Sequence, residues 1–194
     1  MIELPDHPLV KKARELAEEW HAGQLRKYTG EGYITHPIRV ATIVYDALKG
    51  DPRYPIYVAA ALLHDVIEDT TIKLDAFGVF DTIEADSTQK ILSIVLDLTN
   101  NKTLKGTRKW RKFAMANQIK NAQPISQLIK LADRLDNLQD LQASNPQFVK
   151  EAYGKESLDL LDVTETLNVS IYAPQYTIFS REIKNIIMGI LSDN

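Results

Sequence analysis

The segment "AALLHDVIEDT", residues 60 to 70, places a histidine and three acids at the end of an apolar run. His64, Asp65, Glu68 and Asp69 thereby gather one imidazole and three carboxylates within about one and a half helical turns. On a continuous helix His64 and Glu68 stand four apart and share a face, and Asp65 and Asp69 share the next. Ionised carboxylates on a buried helix are costly unless they are paired or bound to a metal. A salt bridge or a satisfied core histidine would account for His64-Asp65 alone. The four residues together favour a metal and the groups that work beside it.

Two other positions offer matching ligands. His36 precedes Pro37 at an expected helix start. Asp133 lies in "LIKLADRLDNL", where Leu128, Leu131, Leu135 and Leu138 form an apolar stripe and Asp133 shares a different face with Ile129 and Asn137. A surface ion pair with Lys130 or Arg134 is the simpler use of Asp133, but both neighbours are expected to point elsewhere around the helix. Two imidazoles and two carboxylates make a mixed nitrogen and oxygen set, which suits Mn²⁺, Fe²⁺ or Zn²⁺ better than Ca²⁺. Four protein ligands on a six-coordinate ion leave positions for water and a phosphate oxygen. A bound metal lowers the pKa of its water from about 15.7 toward neutrality. Glu68 and Asp69 would lie beside that water without being needed as ligands.

The elements that must position these residues read as helices. Asp6 can cap a helix to about His21, with Val10, Ala13, Ala17 and Trp20 on one face and Gly23 at its end. Pro37 suits the first turn of a helix carrying Ile38, Ala41, Tyr45 and Leu48. A third helix is expected from about Pro55 to Asp69, apolar almost all round and so buried. Asp86 or Ser87 opens a fourth, with Ile91, Ile94, Val95 and Leu98 at helical spacing. Further helices are expected over 107–121, from Pro124 to about 142, and over about 146–162 and 175–191. "VSIY", 169–172, is too short to count as a strand. With no repeat, linker or low-complexity tract, the reading is one all-α domain over 1–194.

The chain has 194 residues, 44% hydrophobic and 25% charged, which suits a soluble globular domain with a core of its own. It has no Cys, which excludes disulfides and thiolate metal sites. The N-terminal segment is charged within a few residues and no stretch approaches a membrane span, so a cytoplasmic protein without a membrane partner is expected. A net charge of −3 does not advertise nucleic-acid binding. One stretch departs from that balance: "NKTLKGTRKWRK", 101–112, has six basic residues and no acid. A solvated surface explains it; a local site for a small polyanion is the sharper reading.

The words "GQLRKYTGEGYITHPIRVA", "AALLHDVIEDT", "LDLTNNKTL" and "IKLADRLDNLQDL" resemble, in order and with suitable gaps over about 8–142, the hydrolase domain of the RelA/SpoT family of HD-domain metal phosphohydrolases. The small stand-alone alarmone hydrolases, the metazoan SpoT homologue among them, have this length. Nothing in the sequence resembles the synthetase or regulatory domains of the long members. The resemblance implies an all-α HD-type fold and Mn²⁺-dependent removal of the 3′-pyrophosphate of ppGpp and pppGpp. It implies that His36, His64, Asp65 and Asp133 hold the Mn²⁺, and that Glu68 and Asp69 handle the attacking water and the leaving oxygen. It further implies that Arg26 and Lys27 meet guanine and phosphate, that Asn137 contacts the nucleoside, and that Lys102 and Arg108 meet the pyrophosphate oxygens. Asp136 stands where many long members have His, and "LQD" follows Asn137 where they often have "MRT". Related activities are the alternatives: removal of the 2′-phosphate of NADPH, associated with the metazoan homologue, or alarmone binding without turnover.

Overall fold

The computed structural model describes residues 4–100 and 107–192, and those residues build helices and turns with an isolated antiparallel bridge between Leu25 and Gly32. The Cα framework divides into two compact units, 1–26 with 31–102, and 27–30 with 103–194.

The first unit is organised around α3 (Tyr54–Leu62), against which α1 (Pro8–Trp20), α2 (Thr35–Leu48) and α5 (Ser87–Leu98) pack. Every residue of α3 from Pro55 to Leu62 is buried, as its apolar circumference requires. Each large side chain removed from water there contributes about 1.5–3 kcal/mol. α1 buries Leu9, Val10, Ala13, Leu16 and Ala17. Its cap is the His7 ring, whose Nδ1 accepts from the Leu9 N–H at 3.3 Å, instead of the anticipated Asp6. Gly23 follows its end at φ +77°, a conformation that costs glycine nothing. α2 begins two residues before Pro37 and turns His36, Pro37, Val40, Ala41, Val44 and Leu48 inward, so Ile38 and Tyr45 lie on its flank.

The expected third helix does not run through to Asp69. It breaks at Leu63, His64 and Asp65 and resumes as a single turn, α4 (Val66–Asp69). The Leu63 N–H is shared between the Ala59 and Ala60 carbonyls, 3.2 Å each, and the His64 ring takes the Ala61 carbonyl. A 3₁₀ segment, Leu74–Thr82, has no counterpart in the periodicity reading. It seats Phe77 and Phe80 in the core, with Phe77 5.8 Å from the Trp20 ring. Its Asp81 accepts the Thr88 N–H and so caps α5, which frees Asp86 to turn the chain at φ +62°.

In the second unit α7 (Pro124–Ser144) is the axis, buried on most of its circumference, and packs against α10 (Ala173–Ser192), α6 (Arg108–Lys120) and α9 (Gly154–Val163). α8 (Pro146–Phe148) leads into a π-helical turn, Val149–Tyr153, and then α9. Gly154 closes that turn by donating to the Val149 carbonyl. A Cβ at Gly154 would stand 2.8 Å from that oxygen and 3.4 Å from Ile187 Cγ2 on α10, so only glycine fits.

Candidate metal and phosphate site

Three side chains of the first unit converge. His36 comes from the start of α2, His64 and Asp65 from the break between α3 and α4. Adjacent residues on an intact helix do not face each other. The break removes that restriction: His64 Nε2 lies 3.1 Å from Asp65 Oδ2, and His36 Nε2 lies 3.6 Å from the same oxygen. Ligand atoms of all three residues fall within 4.8 Å of one another, with both imidazoles buried. His64 Nδ1 is 2.8 Å from the Ala61 carbonyl, which can only accept, so Nδ1 carries the proton. In the neutral ring Nε2 then presents a lone pair to a carboxylate oxygen. Two electron-rich atoms hold that separation only with a cation between or beside them, a proton or a metal ion. Two imidazole nitrogens and a carboxylate are the donors a borderline divalent ion prefers, so the residues fit such an ion.

Tyr33 organises the acids next to this group. Its hydroxyl donates to Asp65 Oδ2 at 2.6 Å and lies 2.9 Å from Asp69 Oδ2. Burial, followed by the carboxylates of Asp65 and Asp69, holds the phenol well above its ordinary range, so it stays a donor. The His21 ring stacks on Tyr33 with centroids 4.7 Å apart, and Arg26 lies over the ring's π-system at 5.6 Å. His21 Nδ1 meets Gln24 Oε1 at 2.8 Å, while Gln24 Nε2 donates to the Asp69 backbone carbonyl at 2.9 Å. Glu68 is held separately: its Oε2 accepts the Asn100 N–H at 3.1 Å and the Asn100 side-chain amide at 2.7 Å.

Of the remaining residues named from the sequence, Lys27, Arg108, Asp133 and Asn137 lie in the second unit. Asp133 is 6% exposed on α7. Its Oδ1 accepts from Asn137 Nδ2 at 2.5 Å and its Oδ2 pairs with Lys130 at 2.7 Å. Lys130, expected to point away, reaches back because positions three apart on a helix are neighbours. The Lys27 ammonium sits 5.1 Å over the Tyr28 ring. Arg108 is bidentate on Glu156 and lies 5.1 Å over the Phe148 ring. Lys102 lies outside the described residues. Tyr33, Gln24 and Asn100 had no role in the sequence reading, although each falls inside a quoted motif. Nothing local marks a tyrosine or an asparagine as the partner of an acid some 30 residues away.

A family model described as "HD domain" matches residues 13–161. The guanosine-3′,5′-bis(diphosphate) 3′-pyrophosphohydrolase MESH1 of Xenopus tropicalis is 34% identical over 143 residues, covering 73% of this chain and 74% of that protein. The GTP pyrophosphokinase of Streptomyces coelicolor is 34% identical over 156 residues, but the chain spans only 17% of that longer protein. The solved structure of a metazoan SpoT ortholog that hydrolyses ppGpp superposes with a TM-score of 0.71 at 25% identity, over 93% of this chain and 98% of its own. The all-α HD-type fold is thus common to both. Among the described residues no helix is long and apolar enough to cross a membrane.

Proposed function

The chain belongs to the HD-domain family and is a relative of the stand-alone MESH1 proteins, and from that premise we propose that it hydrolyses the 3′-pyrophosphate of guanosine alarmones such as ppGpp. The observation that carries the reading is the meeting of His36 Nε2 and His64 Nε2 at Asp65 Oδ2. His36, His64 and Asp65 would hold the divalent ion, with Asp133 as the fourth ligand by its place in "LADRLDN". The family match runs through both units, which supports treating them as one HD-type domain over 1–194. Mn²⁺ is the ion assigned, and when bound it supplies polarisation of a phosphate oxygen and of the attacking water.

The chain's own groups then divide the work. Glu68 and Asp69 take the proton of the water as its oxygen forms a bond to the phosphorus on the 3′-oxygen. The bond from that phosphorus to the 3′-oxygen breaks, the leaving oxygen collects a proton, and GDP or GTP separates from pyrophosphate. Asn100 fixes Glu68 through two donated hydrogen bonds, and Tyr33 fixes Asp69 through its hydroxyl. Arg26, beside Tyr33, and Lys27 are assigned to guanine and phosphate, for which a flat cation and a point charge suit. Asn137 is assigned to the nucleoside, Lys102 and Arg108 to the pyrophosphate oxygens. A chain without Cys suits the reducing cytoplasm, where we place the activity.

The test is incubation of the full chain with ppGpp, with and without Mn²⁺, reading pyrophosphate release and bound metal. Asp133→Ala should lose metal and turnover together while its helical content stays. Metal-loaded protein that binds ppGpp tightly without releasing pyrophosphate would replace the hydrolase reading with a sensor. Preferential release of phosphate from NADPH would change the substrate.

A further inference from the structure

α6, α7 and α9 bring four cations and two carboxylates together in the second unit. Arg108 engages Glu156 through Nε and a terminal nitrogen, at 2.8 and 2.9 Å. Lys130 engages Asp133 at 2.7 Å. Both carboxylates are therefore already held, and the positive charges of Arg134 and Lys130 on α7 act on the Lys112 ammonium of α6. Arg134 is 6% exposed and its guanidinium lies 4.2 Å over the Tyr153 ring. One terminal nitrogen makes a long 3.4 Å contact with Ser157 Oγ. Its buried Nε–H meets no acceptor among the described residues. Burial, then Arg134 and Lys130, push the Lys112 amine down to about 8 against the pull of Glu156.

Two neighbouring cations, one buried and one half-buried, are costly without a counter-charge. A donor as directional as a guanidinium Nε–H, left open beside an ammonium, matches a phosphate oxygen in charge and in geometry. The geometry points to an anion subsite formed by Arg134 and Lys112 that takes a phosphate group of a pyrophosphate. Its use in the reaction rests on the hydrolase reading, under which it would take the released pyrophosphate. The binding of the anion itself does not depend on that reading.

The experiment is calorimetric titration of inorganic pyrophosphate into the full-length, chelator-treated protein at fixed ionic strength, so that a metal cannot mediate the contact. Wild-type protein should bind, and Lys112→Met and Arg134→Lys should each weaken binding about tenfold or more, the usual effect of removing one charge-assisted hydrogen bond. Arg134→Lys keeps the buried charge and removes the Nε–H, so it isolates the directional contact. The partly exposed Lys112 keeps the test valid should the Arg134 variant fold poorly. Lys109→Met removes an exposed charge of the same helix and should change affinity less than about twofold. Absence of wild-type binding, or unchanged affinity in Lys112→Met, overturns the subsite. Intact pyrophosphate binding with no turnover of ppGpp would sink the hydrolase reading and leave the subsite standing. Turnover with unchanged affinity in both variants would do the reverse.

Discussion

Replacing Tyr33 by Phe removes a single oxygen from the centre of the acid cluster. The hydroxyl donates at 2.6 Å to Asp65 and lies 2.9 Å from Asp69, distances typical of hydrogen bonds to ionised acceptors. The ring would stay, because its stacking on His21 and its contact with Arg26 involve only the aromatic face. Losing a hydrogen bond to a charged group costs roughly 1.5–3 kcal/mol, and here two carboxylates lose the donor they share. Asp69, exposed on the last turn of α4, would lose the hydroxyl that ties its carboxylate to Asp65 and keep the hydrogen bond from Gln24 to its backbone carbonyl. If that order is spent in the reaction, turnover should fall by about 10- to 150-fold. The assay is metal-dependent pyrophosphate release measured as kcat and KM, with helical content and Mn²⁺ affinity followed on the same preparations. The expected result is a large loss of kcat with little change in KM and intact helices. Tyr33→Phe with wild-type kcat and wild-type metal affinity would refute the positioning argument.

Glu68→Gln should retain the metal and slow turnover by about 100-fold or more, as loss of a proton acceptor does; loss of metal instead would move Glu68 into the ligand set. Gly154→Ala should lower stability by about 1–3 kcal/mol in a denaturant titration, because the Cβ must displace the Val149 carbonyl or the Ile187 side chain; an unchanged midpoint would show that the π-helical turn can relax. Lys112 releases its proton near pH 8 in the folded protein and at a higher pH when unfolded, so folding becomes more favourable as pH rises from about 8 to about 10.5 and that gain is lost as pH falls through 8. The gain amounts to at most roughly 3 kcal/mol, and the stability difference between wild type and Lys112→Met should rise across that window; a flat difference would show that Lys112 is well solvated.

Local pattern was enough to make the protein helical and to mark its chemistry. The apolar run before His64, the spacing of Ile91, Ile94, Val95 and Leu98, and the glycine after α1 are one-dimensional signals, because a helix writes its buried face into the sequence every three to four residues. The motif words likewise single out His36, His64 and Asp65, which the structure brings together, without any coordinates. Periodicity failed where the third dimension intervenes. An apolar stretch reads the same whether its helix continues or breaks, so the interruption at 63–65 was invisible, yet it is what lets neighbours His64 and Asp65 aim at one point. Asp81 capping α5, Tyr33 joining Asp65 to Asp69, and Asn100 holding Glu68 are hydrogen bonds between residues of locally ordinary type, from 7 to 36 positions apart. Lys130 reaching Asp133, and Arg134 turning its guanidinium onto Tyr153, depend on which face of α7 the neighbouring helices cover. The donors and acceptors were legible in the chain; which of them meet was decided by packing, since hydrogen bonds form between atoms close in space whatever their order along the backbone.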